Sequence, residues 1–175
     1  MDIDVAEWGA DFVAGAGHKW LCGPWGAGFL YVADDAVETL EPDRVSYRSV
    51  TDPSVAEYEL LPAAARLEIG TRSPLPYAGL EEAISVIEDI GLDSIESHNQ
   101  ELTGRLKEGL GDRLLSPREY ESGLVTFAAD DPNATVEELG EQGIEVRSIP
   151  DPDALRASVH GFNTAEDVDA LLSAL

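Results

Sequence analysis

Apolar residues recur at helical spacing in three stretches. Leu80, Ala83, Ile84, Ile87 and Ile90 fall at i, i+3, i+4, i+7 and i+10, which predicts a strong helix after the turn-rich Gly70–Pro76. Gly91 interrupts the pattern. Asp93 then reads as the N-cap of a second helix, whose stripe is Ile95, Leu102, Leu106 and Leu110. Val168, Leu171, Leu172 and Leu175 make the face of a last helix, capped by Thr164-Ala-Glu-Asp167. Two shorter helices are predicted, one over 34–40 and one over 133–142, the latter with Thr135 and Glu138 at capping-box spacing. Strand-like runs lie at 11–19, where the chain enters a glycine-rich turn, and at 26–32, 123–129, 144–147 and 155–160. Residues 41–62 lack a period and read as a long loop. The pattern predicts an α/β protein whose second part is a compact β-α-β-β-α unit, with a boundary in the 91–111 region.

Charge narrows the functional classes. The 175 residues carry 35 Asp and Glu against 11 Lys and Arg, a net charge of −24. Too few cations are present to build a phosphate-tracking face for nucleic acid or a patch for an anionic membrane. No apolar run approaches the roughly 20 residues that cross a bilayer. The acidic start Met1-Asp2-Ile3-Asp4 is unlike a secretory n-region, so the cytoplasm is the expected location. A hydrophobic content of 43% argues for a folded chain with a very acidic surface. Such an excess suits a high-salt cytoplasm, where screening blunts self-repulsion; an acidic mesophile protein is the alternative. The lone Cys22 excludes an intrachain disulfide and a multi-cysteine zinc site, and His18, His98 and His160 show no metal-ligand spacing.

Lys19 is one of only two lysines. It follows a strand and lies among glycines 15, 17, 23, 26 and 28, with Trp20, Leu21 and Trp25 nearby. Glycines let backbone approach a ligand closely, and apolar neighbours would desolvate an ammonium, as a Schiff-base lysine requires. The ordinary alternative is a solvated surface charge.

The segment Ala14-Gly-Ala-Gly-His-Lys-Trp-Leu-Cys-Gly-Pro-Trp-Gly-Ala-Gly-Phe-Leu-Tyr-Val32 resembles the cofactor-lysine region of class V aminotransferases. These are fold type I, pyridoxal-phosphate-dependent enzymes that include cysteine desulfurases and isopenicillin N epimerase-like proteins. Arg66-Leu-Glu-Ile-Gly-Thr71 with Ala78-Gly79-Leu80, and Leu155-Arg-Ala-Ser-Val-His-Gly-Phe-Asn-Thr164, resemble two further segments of the family in the same order. The resemblance implies that Lys19 is the Schiff-base lysine and proton shuttle for pyridoxal 5'-phosphate. It places His18 beside the cofactor phosphate and has Thr71 bond the phosphate of the partner subunit's cofactor, in a homodimer. Arg156 would pair the α-carboxylate of an amino-acid or keto-acid substrate; Arg147 is a weaker candidate. Each also has a structural alternative: a core histidine, a turn hydroxyl, an ordinary ion pair.

The departures are specific. Ala16 stands where many members have a hydroxyl residue. Residues 146–155, where cysteine desulfurases carry a Cys loop, contain no cysteine, which argues against persulfide chemistry. The stacking aromatic and the Asp that pairs the pyridine nitrogen have no candidate before Lys19. The chain therefore reads as a C-terminal portion of the family's fold, from a truncated or split product. Residues 1–92 would be the end of the large cofactor-binding domain and residues 93–175 a connecting helix plus the small domain. The alternative is a non-catalytic α/β remnant or interaction domain.

Overall fold

A computed structural model describes residues 3–119 and 122–175. It divides into two compact units, one ending at Asp89 and the other beginning at Ile90.

In the first unit, β1 (Phe12–Ala16) and β2 (Gly28–Val32) form an antiparallel pair in which Phe12 faces Val32 and Ala16 faces Gly28. The pair closes tightly: a Cβ on Gly28 would sit 2.6 Å from the Gly15 carbonyl oxygen. Helix α1 (Asp34–Thr39) begins with Asp34 and Asp35, whose charge suits a helix N-terminus. Val32, Ala36 and Val37 form a small core, flanked by Leu40, Ala64 and Leu67. Within the long loop Val50 bridges Leu60, before a 3-10 helix at Ala63–Leu67.

Helix α2 (Pro74–Ile90) starts earlier than its apolar pattern suggests, because proline is tolerated in a first helical turn. Of its predicted face only Leu80 is buried; Ala83, Ile84 and Ile87 are half-buried and Ile90 is exposed. Large apolar side chains are exposed in this unit, among them Phe12, Trp20, Trp25, Phe29 and Leu30.

The second unit runs α3 (Leu92–Leu110), β3 (Leu124–Phe127), α4 (Pro132–Glu141), β4 (Arg147–Pro150), β5 (Asp153–Ser158) and α5 (Ala165–Ala174). From β3 onward this is the β-α-β-β-α order the sequence predicts. The sheet order is β3-β5-β4, antiparallel throughout. Leu102, Leu106 and Leu110 of α3 pack with Val125, Phe127, Leu155 and Leu171 in one core. Arg105 adds a two-pronged bond to Asp169, 2.7 and 2.5 Å, joining α3 to α5.

Helix starts differ from expectation at two places. Gly91, at φ 90°, is the N-cap of α3, so Asp93 lies inside the first turn. Asp131 caps α4 by accepting from the Asn133 and Ala134 N–H groups, and Thr135 donates its hydroxyl to the Asp131 carbonyl instead of capping. The Asp131-Pro132 pair, a cap followed by proline at the first helical position, was the stronger local signal. At α5 the predicted capping box is present: Thr164 Oγ1 accepts from Asp167 N–H, and the Asp167 carboxylate accepts from Thr164 N–H.

Candidate functional site

Lys19 sits in the turn that leaves β1. Gly17 N–H donates to the Ala27 carbonyl at 3.0 Å, Gly23 N–H to the Gly17 carbonyl at 2.8 Å, and Cys22 N–H to the Lys19 carbonyl at 3.0 Å. These bonds fold residues 17–27 back on themselves. The glycines make the fold possible: a Cβ on Gly17 would lie 2.9 Å from the Leu80 methyls, and one on Gly23 2.8 Å from the same residue. The buried Leu80 of α2 thus fills the space that two missing side chains leave.

The turn holds the His18 ring face to face with Trp25, centroids 3.9 Å apart and planes 16° apart. The stack makes Trp25 a direct neighbour of the predicted site, a role its apolar character alone does not signal. Lys19 itself is exposed. Trp20 and Trp25 are 44% and 80% exposed, so the expected desolvation of Lys19 by apolar neighbours is not supplied within this unit. The other lysine, Lys107, is buried on α3 and donates to the Pro117 carbonyl at 3.0 Å.

Thr71 belongs to the same unit as His18 and Lys19, in the segment entering α2. Its hydroxyl is hydrogen-bonded to the Tyr47 hydroxyl. That bond, aided by the Arg48 guanidinium, holds the Tyr47 phenol below its ordinary pKa. Two serines fix the contact. The fully buried Ser49 hydroxyl donates to the Glu68 carbonyl at 2.8 Å and accepts from Ser46 N–H at 3.2 Å. Ser46 Oγ donates to the same carbonyl at 3.3 Å and accepts from Gly70 N–H at 3.4 Å. Residues 46–49 are thereby clamped to 68–71. No sequence pattern announced this contact, because its partners are 24 residues apart.

Arg156 lies on β5, the middle strand of the sheet in the other unit. It is half-buried, and its Nε is buried without a hydrogen-bond partner among the described residues. Its register partners are Thr126 on β3 and Arg147 on β4. Two guanidinium side chains at directly opposed positions repel one another unless an anion lies near them. Pairing register, which single-strand patterning does not give, is what raises Arg147 from a weak candidate. A shallow depression of about 360 Å³ lined by Pro42, Asp43, Arg44, Leu67 and Ile69 includes none of these residues. Among the described residues, no helix is long and apolar enough to cross a membrane.

The model of the family described as aminotransferase class-V matches residues 1–171. A probable cysteine desulfurase of Pyrococcus abyssi is 32% identical over 193 residues, which cover 100% of this chain and 48% of the relative. The isopenicillin N epimerase of Streptomyces clavuligerus is 32% identical, over 100% of this chain and 49% of its own length. A solved structure of a C-DES mutant, with glycine covalently linked to the PLP cofactor, superposes with a TM-score of 0.89 at 30% identity. It matches over 98% of this chain and 47% of that one. The chain thus spans about half the length of the curated relatives it matches. Its α/β fold corresponds to about half of such a pyridoxal-phosphate enzyme, and the chain belongs to the class V aminotransferase family.

Proposed function

We propose that this chain forms part of a pyridoxal-phosphate-dependent enzyme that transforms an amino acid, with Lys19 as the covalent attachment point. The observation that carries the reading is the exposed Lys19, held by a glycine-packed turn next to the His18–Trp25 stack. The residues fit the cofactor: a free amine suits its aldehyde, and the Thr71 hydroxyl suits its phosphate. When bound, the cofactor supplies an electron-withdrawing ring that stabilises negative charge beside the substrate nitrogen.

The chain's own groups do the rest. Lys19 Nζ takes a proton from the substrate carbon and returns it, so its geometry sets which face of that carbon is protonated. The stack on Trp25 fixes the plane of the His18 ring. Arg156 binds the substrate α-carboxylate with its planar fork, and Arg147 beside it adds a second charge. In this reading residues 1–92 carry the cofactor groups and residues 93–175 the carboxylate group. Thr71 serves the partner subunit's cofactor in a cytoplasmic homodimer whose acidic surface is adapted to high salt.

Transamination, epimerisation and a lyase step all use these groups. Desulfuration is disfavoured although many relatives carry that name, because residues 146–155 hold no cysteine to receive sulfur. A second reading is a non-catalytic remnant or interaction domain; the exposure of Phe12, Phe29 and Leu30 on the two-stranded sheet favours it. Incubation with pyridoxal phosphate separates the two. The enzyme reading expects a visible absorbance band of lysine-bound cofactor that Lys19→Ala abolishes. Identical spectra from wild type and variant refute it.

A further inference from the structure

The turn at residues 46–49 carries groups that the Lys19 reading does not use. We propose that Tyr47, Arg48 and Thr71 together form an anion cradle for the phosphate of a phosphate monoester, namely the cofactor's own. The proposal rests on the reading above, in which Thr71 serves that phosphate, and extends it to two residues the family resemblance did not supply.

Three observations support it. First, Arg48 Nε is buried and has no hydrogen-bond partner, and no carboxylate lies within 4.0 Å of the guanidinium among the described residues. In a chain of net charge −24 an arginine left without an acidic partner is unexpected. The nearby carboxylate of Glu68 is taken by Arg72 at 2.6 Å. A buried, unsatisfied guanidinium nitrogen is costly until an acceptor reaches it.

Second, the Tyr47–Thr71 hydrogen bond uses one hydroxyl proton of two. The other remains free to donate. The Arg48 guanidinium bonds the Tyr47 side chain, so a cation and hydroxyl donors lie at one place. A terminal phosphate has three acceptor oxygens arranged tetrahedrally, which suits donors coming from three side chains better than a flat carboxylate does.

Third, the donors are positioned in advance. The Ser46 and Ser49 bonds to the Glu68 carbonyl hold residues 46–49 against 68–71, with Ser49 fully buried. Arg48 N–H also donates to Ser46 Oγ at 3.1 Å, so the backbone that carries the guanidinium belongs to the same clamp. Little ordering remains to be done when the anion arrives.

Phosphorus NMR of the full chain tests the cradle, with inorganic phosphate, pyridoxal phosphate and pyridoxal as probes. Wild type is expected to shift and broaden the inorganic phosphate signal saturably. Pyridoxal phosphate displaces it and pyridoxal does not. Arg48→Gln weakens phosphate binding about tenfold and Tyr47→Phe about threefold, whereas Arg44→Gln, at an exposed pair with Asp43, changes nothing. Lys19→Ala keeps phosphate binding while losing covalent attachment, so a failure of the Lys19 assignment is distinguishable from a failure of the cradle. Far-UV circular dichroism establishes that each variant is folded, and Tyr47→Phe, at an exposed side chain, keeps the test valid if Arg48→Gln is not. The cradle is refuted if wild type does not bind phosphate, or if the folded variants bind as wild type does. The assignment to the cofactor is refuted if pyridoxal competes as well as pyridoxal phosphate.

Discussion

Gly28→Ala tests whether the turn bearing Lys19 is held by close backbone packing. The new Cβ would lie 2.6 Å from the Gly15 carbonyl oxygen. Reaching ordinary contact requires the two strands to part by about 0.8 Å. That oxygen belongs to backbone, so no rotamer change relieves the clash. Overpacking of this kind costs about 1–3 kcal/mol. Alanine recovers about 0.4–1 kcal/mol by restricting the unfolded chain, which leaves a net loss of roughly 1 kcal/mol at the middle of both ranges.

Gly17→Ala is the comparison. Its Cβ would meet the Leu80 methyls at 2.9 Å and the Ala27 carbonyl at 3.2 Å. The nearest atoms are side-chain ends that can move, so its loss should be smaller. Urea unfolding read by tryptophan fluorescence is suited to the question. Trp8, Trp20 and Trp25 all lie in the unit that ends at Asp89, so the signal reports on that unit alone. With a slope of about 1–2 kcal/mol/M for a unit of this size, Gly28→Ala should lower the midpoint by about 0.5–1 M. An unchanged midpoint, or a greater loss in Gly17→Ala, would refute the packing argument.

Other consequences are open to measurement. Gly104 lies inside α3 with open space at its Cβ position, so Gly104→Ala should stabilise the second unit by about 0.8–1 kcal/mol in circular-dichroism unfolding. The Thr164 N–H bond, followed by the Asn163 side chain, holds the Asp167 carboxyl below its usual 3.8. Its contribution is present above that value and fades as pH falls through the lower folded value. Asp167→Asn should therefore flatten the loss of stability that wild type shows on acidification below about pH 4; an acid limb as steep as wild type's contradicts this. Raising KCl from about 0.1 to 1 M shortens the screening length from about 10 to 3 Å and should raise the melting temperature of this −24 chain. A flat or falling melting temperature argues against the high-salt reading.

Local features of this protein could be read from its sequence, and long-range ones could not. The α5 capping box lies within four consecutive residues, and its apolar face recurs at helical spacing, so both were legible. The order of the β-α-β-β-α unit was legible for the same reason. The strand register was not. β4 and β5 lie at Arg147–Pro150 and Asp153–Ser158, later and earlier than the apolar runs suggest, and only that register sets Arg147 opposite Arg156. The Tyr47–Thr71 contact depends on a serine clamp across a loop with no period. Lys19 was singled out by its glycine-rich setting and His18 only by the family resemblance; the structure supplies the packing reason for the glycines, because Leu80 occupies the place of two absent side chains. The expected desolvation of Lys19 by Trp20, Leu21 and Trp25 is not supplied within its own unit, because neighbourhood in sequence says nothing about which face of a ring is covered.

Lys19 and Lys107 are the only lysines, and Lys107 is buried with its amine bonded to a carbonyl. Borohydride trapping therefore tests the central assignment directly. The protein is incubated with pyridoxal phosphate, reduced, digested, and the label located by mass spectrometry; trapping accumulates even when occupancy is brief. Label is expected at Lys19, saturating at one per chain and much weaker with pyridoxal than with its phosphate ester. Label confined to the terminal amine or Lys107, or equal labelling by both aldehydes, would contradict it.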